Sequence, residues 1–199
     1  MDTFSPYELR RLRALKTPQL IQRFLEDLPY HHAKTAWSPR VVLRERAAHC
    51  FEGAVFAAAA LRANGFKPLI WDLEGIRDTD HVLAVYQVNR HWGAIGKSNF
   101  AGLRYREPVY RSLRELAMSY FDSYYNLLGE RTLRAYSPTV DLSRFDRLNW
   151  MTTEKPVWFI AEHLCDIPHT PVISPAQVKQ LTRLDKRAYQ AGLTGYSKH

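Results

Sequence analysis

The segment most informative about the fold is Cys50-Phe-Glu-Gly-Ala-Val-Phe-Ala-Ala-Ala-Ala-Leu-Arg-Ala-Asn-Gly65. From Phe51 to Ala63 its side chains are apolar nearly all round, which is typical of a central, buried helix. The final Asn64-Gly65 pair is a helix C-cap signal. Small side chains dominate the helix face of Cys50, so another layer of the protein can approach closely. The sequence therefore predicts a buried helix with a cysteine at its N-terminus.

Strand patterns follow this helix. Residues 66–73 are one candidate, and His81-Val-Leu-Ala-Val-Tyr-Gln-Val88 is a stronger one, because it is apolar on both faces and therefore internal. Asn89-Arg90 has turn chemistry, and His91-Trp-Gly-Ala-Ile95 returns as the next strand, which predicts a hairpin. A helix packed on an antiparallel sheet places the chain in the α+β class.

Helical patterns flank this region. Caps at Ser5-Pro6 and Thr17-Pro18 each precede apolar residues at helical spacing. Further helices are predicted at 110–128, 153–164 and 174–191. We predict one compact domain in three segments: an N-terminal helical segment (1–40), a core (41–150) and a C-terminal helical extension (151–199).

Composition excludes several classes of protein. With 199 residues and 46% hydrophobic side chains, the chain can bury a core, and its two cysteines do not make a disulfide scaffold. We find no signal-peptide pattern and no apolar run long enough for a bilayer, so we expect a cytoplasmic protein without a membrane partner. The net charge is +8, but arginines are spread along the chain and no nucleic-acid motif is present. Nucleic-acid binding is therefore the lesser alternative.

Cys50 and His81 form a candidate catalytic pair. Unpaired N–H groups and the dipole at a helix N-terminus favour a thiolate, so we expect a lowered pKa for Cys50. A histidine heading a neighbouring strand can accept the thiol proton, as a cysteine nucleophile requires.

The order of these pieces resembles the transglutaminase-like family of the papain-like cysteine-enzyme superfamily, over about Ala47 to Asn99. That family has a cysteine opening a small-residue helix, a strand, a histidine heading a second strand, and a third strand led by tryptophan. The corresponding pieces here are Ala48-His49-Cys50, Leu61-Arg-Ala-Asn-Gly65, Asp80-His81-Val-Leu-Ala-Val-Tyr86 and Arg90-His91-Trp92-Gly-Ala-Ile95.

The resemblance implies a transglutaminase-like, papain-type core in which Cys50 is the nucleophile and His81 the base. The implied activity is acyl transfer from a peptide or another amide or ester, by an amidase, a protease or a transglutaminase-like enzyme, without a cofactor. Trp92, at the head of the third strand, is a candidate for substrate contact. The oxyanion is expected at the backbone N–H of Cys50, with Arg44, six residues earlier, as a candidate second donor.

The chain departs from the family after the tryptophan, where Gly96 stands in place of the usual aspartate. If Asn89-Arg90 is a two-residue turn, the hairpin ladder places Ser98 opposite His81, on the same face. Asn99 needs a bulge to reach the imidazole, but asparagine is the papain-type orienting residue. Asn99 is slightly preferred, and Ser98 stays open.

Non-catalytic interpretations stand beside this one. Cys50 is also explained as a small core hydrophobe, and His81 as a satisfied core histidine. Loss of the acid at Gly96 would fit an inactive transglutaminase-like binding or scaffold domain. No histidine or cysteine cluster has the paired spacing of a structural zinc site, so no metal is predicted. The clusters considered are His31-His32, His49-Cys50 and His163-Leu-Cys165 with His169.

Overall fold

A computed structural model describes residues 3–197; the outer ends of the predicted first and last segments lie outside the described residues. Helices and one antiparallel sheet are mixed along the chain, so the protein is α+β. The helices are α1 (Pro6–Ala14), α2 (Pro18–Glu26), α3 (Pro39–Glu45), α4 (Cys50–Ala63), α5 (Leu113–Met118), α6 (Trp158–Asp166), α7 (Pro175–Val178) and α8 (Lys186–Gly192). The strands are β1 (Leu69–Gly75), β2 (His81–Val88), β3 (His91–Ile95), β4 (Arg106–Tyr110), β5 (Leu133–Tyr136), β6 (Val140–Asp141) and β7 (Thr170–Pro171).

The sheet runs in the order β4-β3-β2-β1-β5-β7, and β6 also pairs with β1. Its centre is the predicted hairpin, in which Val88 pairs with His91 and Ala84 pairs with Ile95. Asn89 and Arg90 form the two-residue turn with φ values of 48° and 65°. Two positive φ values match the twist of a hairpin, so the predicted register is confirmed.

Helix α4 begins at Cys50, as predicted, and is buried from Phe51 to Leu61. It packs on β2 and β1 on one side and on α1, α2 and α3 on the other. Gly53 permits one of these close approaches, since a Cβ there would lie 2.6 Å from the Cβ of Lys97. The helix is therefore a middle layer, held between the sheet and the N-terminal helices.

The other face of the sheet carries a second core. Leu83 and Val85 point there, away from α4, and pack with α5 and the buried rings of Tyr120 and Tyr124. These aromatic side chains serve core packing.

Three predicted helices differ from the structure. The predicted helix at 110–128 is reduced to α5, because β4 extends to Tyr110 and Ser112 caps the helix start. The predicted helix at 174–191 is divided into α7 and α8, since the chain between them is bonded to other loops, as by the Leu184 N–H to the Gly129 carbonyl. Helix α6 starts at Trp158, later than predicted. Within residues 3–197, no helix has both the length and the hydropathy that crossing a bilayer requires.

Candidate active site

The start of α4 is fixed to the loop that precedes α3. The His31 N–H donates to the Ala48 carbonyl at 3.1 Å, and the Ala48 N–H donates to the Pro29 carbonyl at 3.4 Å. This short parallel contact places Tyr30 beside the residues that lead into Cys50.

Cys50 lies against the first residues of β2. Its Sγ is 3.9 Å from the carbonyl oxygen of Asp80, the residue immediately before His81. Cys50 and His81 both line an open pocket of about 520 Å³, so the structure brings the predicted pair to one cavity. The walls include Tyr30, His31, His32, Thr35, His49, Ser98, Asn99, Phe100, Leu103, Tyr124, Trp158 and Tyr196.

The His81 ring is held by a backbone carbonyl. Its Nε2 lies 2.7 Å from the carbonyl oxygen of Leu103. A carbonyl oxygen only accepts hydrogen bonds, so Nε2 carries the proton and the Nδ1 of the neutral ring carries the lone pair. Burial lowers the pKa of His81 to about 4, which keeps the ring neutral near pH 7. The imidazole is therefore unprotonated at Nδ1 and can accept a proton there.

Gly96 provides the room for this carbonyl. A Cβ at Gly96 would lie 3.4 Å from Nε2 of His81 and 3.3 Å from the Leu103 oxygen, and it would overlap the Leu83 side chain. Position 96 is thus beside the imidazole, but it carries no side chain. Gln22 holds it there, because its side-chain amide bonds both the N–H and the carbonyl of Gly96 at 3.0 Å.

Ser98 and Asn99 line the pocket, but neither is the group bonded to Nε2 of His81. Strand β3 ends at Ile95, so the ladder does not continue to the predicted Ser98–His81 pair. The Ser98 hydroxyl accepts from the Phe100 N–H at 3.0 Å. The Asn99 amide bonds Ser197, far along the chain.

The pKa of Cys50 differs from the predicted direction. Cys50 keeps some solvent exposure, but burial of its sulfur raises the pKa to about 11, and backbone hydrogen bonding at Val82 and Phe51 opposes this only in part. The expected lowering of the pKa is wrong in direction, because desolvation of the sulfur outweighs the backbone hydrogen bonds that favour the thiolate. The pair is consequently a neutral thiol and a neutral imidazole in one pocket, not an ion pair.

Arg44 and Trp92 lie away from the pocket. The Arg44 guanidinium bonds Glu45 at 2.8 Å and Glu154 at 2.6 Å, beside a different cavity. Trp92 pairs across the sheet with Gln87 and Tyr110 and is not a wall of the pocket. The structure does not bring either residue to Cys50.

Tyr30 is a candidate site residue that sequence reasoning missed. Burial raises the pKa of its hydroxyl, and hydrogen bonding with the Cys50 backbone opposes this. Tyr30 lines the same pocket as Cys50, so its hydroxyl is a candidate donor to an oxyanion. No local motif marks Tyr30, because its position comes from the contact between residues 29–31 and Ala48.

Glu52 holds several residues of the pocket wall in place. Its carboxylate is fully buried and accepts from the Thr35 hydroxyl at 2.5 Å, the Trp37 N–H at 3.1 Å and the His49 N–H at 3.2 Å. It also lies 3.0 Å from Nδ1 of His31, which stacks on Trp37. A carboxylate in the first turn of α4 also suits the helix dipole. Glu52 thus fixes His31 and its loop against the start of the helix.

A smaller cavity of about 170 Å³ lies on the other side of Cys50 and includes Asp72 and Cys165. The Asp72 carboxylate bonds Nε2 of His169 at 3.0 Å, and its Oδ1 is buried without a hydrogen-bond partner. Burial and the charge of Asp80 raise the pKa of Asp72 to about 7. Among residues 3–197, no group of three or more His, Cys, Asp or Glu side chains is arranged to hold a metal ion.

Comparison with protein-family models found no match, and neither did a search of curated proteins. The chemical interpretation of the site therefore depends on its own geometry. A thiol, a neutral imidazole and a phenol share an open pocket, and a carbonyl holds Nε2 of the imidazole. These groups are suited to attack on a carbonyl carbon.

Proposed function

We propose that the chain is a cysteine-dependent acyl-transfer enzyme with a transglutaminase-like, papain-type core. The observation that carries this is the arrangement around His81. Its ring shares a pocket with Cys50, and the Leu103 carbonyl leaves the Nδ1 lone pair as the available base.

In the proposed first step, Cys50 Sγ attacks the carbonyl carbon of an amide or ester while His81 Nδ1 takes the thiol proton. Thiol deprotonation and attack are coupled, because the raised pKa of Cys50 leaves little thiolate near pH 7. The oxyanion receives the Cys50 backbone N–H and the Tyr30 hydroxyl. The imidazolium then gives its proton to the leaving amine or alcohol as the carbon–heteroatom bond breaks, which leaves a thioester on Cys50.

In the second step, water or an amine attacks the thioester carbon and His81 accepts its proton. Collapse of the tetrahedral species breaks the C–S bond, and the proton returns to the sulfur. The Leu103 carbonyl stabilises the imidazolium less than a carboxylate does, so we expect a slower enzyme than one with an acid at that position.

A second candidate is a non-catalytic binding domain on the same scaffold. The raised pKa of Cys50 and the glycine at position 96 favour it, because both weaken an acyl-transfer site. This candidate retains the pocket and its walls but assigns no reaction to the sulfur.

Acylation by a p-nitrophenyl ester tests the proposal. In a Cys165→Ser background, we expect a nitrophenolate burst with one acyl group on Cys50 by peptide mass spectrometry, and loss of the burst in His81→Ala. His91→Ala is the matched control, since His91 also heads a strand but bonds its own turn at the Asn89 carbonyl. An unacylated Cys50, or a burst of equal size in His81→Ala, would support the binding domain instead.

A further inference from the structure

Asn99 makes hydrogen bonds in the pattern of a peptide group. Its Nδ2 donates to the Ser197 carbonyl at 2.9 Å, and its Oδ1 accepts from the Ser197 N–H at 2.9 Å. The Ser197 hydroxyl adds a bond of 3.1 Å to the same Oδ1 and lies 3.0 Å from Nε2 of His32. The two main-chain bonds are independent of the side chain at that position, so Asn99 recognises backbone.

This contact lies at the candidate active site. Asn99 and His32 are walls of the pocket that holds Cys50, and so is Tyr196, whose ring packs on Phe100 with centroids 5.3 Å apart. The segment 193–197 thus reaches the pocket wall at Tyr196.

Few contacts hold this segment to the rest of the protein. Ser197 is exposed, and Gly195 has a φ of +76° with no atom within 4 Å of a Cβ built on it. The observed anchors include the Asn99 and His32 bonds, the Tyr196 ring, and turn bonds such as that from the Tyr196 N–H to the Leu193 carbonyl at 3.0 Å. An extended chain that offers an N–H and a carbonyl to Asn99 can replace the first of these without rearranging the core.

We propose that the substrate is an extended peptide whose main chain binds the side-chain amide of Asn99, and that segment 193–197 occupies this subsite as an intramolecular competitor. The proposal rests on the proposed function of Cys50. It assigns Asn99 to substrate binding and excludes it from orienting the imidazole. It also favours peptides over small amides, because a peptide offers an N–H and a carbonyl to Asn99 in addition to the carbonyl that Cys50 attacks.

Two peptidyl chloromethyl ketones test this in the full chain with Cys165→Ser: acetyl-alanyl and acetyl-tetra-alanyl. Cys50 Sγ displaces chloride from either reagent, so the ratio of their rate constants measures peptide recognition apart from thiol reactivity. Ser197→Pro removes the competing N–H, and we expect the ratio to rise roughly tenfold, as for one or two neutral hydrogen bonds. Asn99→Ala should abolish that rise in the double variant. Ser197→Ala keeps both main-chain bonds and loses only the hydroxyl bonds, so it should raise the ratio less than Ser197→Pro does.

A ratio unchanged by Ser197→Pro, or a rise that persists in the Asn99→Ala background, would overturn the proposal. Binding of acetyl-tetra-alanine amide to Cys50→Ala protein, monitored by NMR at the Asn99 side-chain amide, separates it from the proposed chemistry. If the peptide binds in an Asn99-dependent way but Cys50 reacts equally fast with and without His81, the peptide site is supported and the proposed enzyme is refuted. An absence of binding would refute the peptide site alone.

Discussion

The carbonyl oxygen of Leu103 lies 2.7 Å from Nε2 of His81, in the space that the missing side chain of Gly96 leaves open. A backbone carbonyl, not a carboxylate, therefore holds Nε2 of the imidazole. A carbonyl fixes the tautomer of the neutral ring as well as an acid does, because only a protonated Nε2 can bond it. It carries no full charge, so it does not raise the pKa of the ring in the same way.

Substitution of Gly96 tests this packing. Gly96→Ala places a methyl group against Leu83 and beside His81, so we expect a loss of about 1–3 kcal/mol in the free energy of unfolding, as for other overpacked sites. Urea unfolding of both single variants and of Gly96→Ala/Leu83→Ala measures the coupling. We expect the double variant to be more stable than the sum of the single effects predicts. Additive losses would mean that Leu83 does not limit the space.

The pH dependence of Cys50 alkylation tests the neutral pair. With the pKa of Cys50 raised to about 11 and that of His81 lowered to about 4, no thiolate–imidazolium pair accumulates between them. In a Cys165→Ser background, we expect slow reaction with iodoacetamide from pH 5 to 8 and a steep rise toward pH 11. His81→Ala should reduce only the neutral-pH rate. A fast plateau at pH 5 to 7 would instead show an ion pair.

Much of the fold follows from local patterns in the sequence. The two-residue turn at Asn89-Arg90 sets the register of β2 and β3. The continuous apolar run that starts at Phe51 predicts that α4 is a buried helix. Each of these features is determined within about a dozen neighbouring residues, so a single sequence is enough to predict it.

The details of the site depend on distant segments. The Leu103 carbonyl reaches His81 through the path of a loop, and Asn99 finds its partner at Ser197. No periodicity encodes such contacts. The sequence predicts the wrong direction for the pKa shift of Cys50, because it shows the start of the helix but not the burial of the sulfur by β2.

Substitution of Gln22 tests how much its hydrogen bonds to Gly96 stabilise the protein. Its buried amide satisfies both backbone groups of Gly96, so Gln22→Ala leaves a buried N–H and a buried carbonyl without partners. We expect a loss of about 2–4 kcal/mol in the free energy of unfolding, measured in urea. Gln19→Ala on the same helix is the control, because its one long bond of 3.4 Å is exposed and its loss should cost little.

The raised pKa of Asp72 predicts how the free energy of unfolding depends on pH. Its pKa is about 7 in the folded protein and near 3.8 in the unfolded chain, so the folded state binds the proton more tightly. The stability that this proton contributes is present below the unfolded pKa and is lost as pH rises through the folded pKa. The free energy of unfolding should therefore decline from pH 4 to pH 7 relative to Asp72→Asn, which cannot titrate there. Urea unfolding at pH 4, 5.5 and 7 measures the difference. Asp122→Asn, at a side chain that is 83% exposed, should parallel the parent protein. Parallel curves for parent and Asp72→Asn would show that His169 keeps the carboxylate ionised throughout.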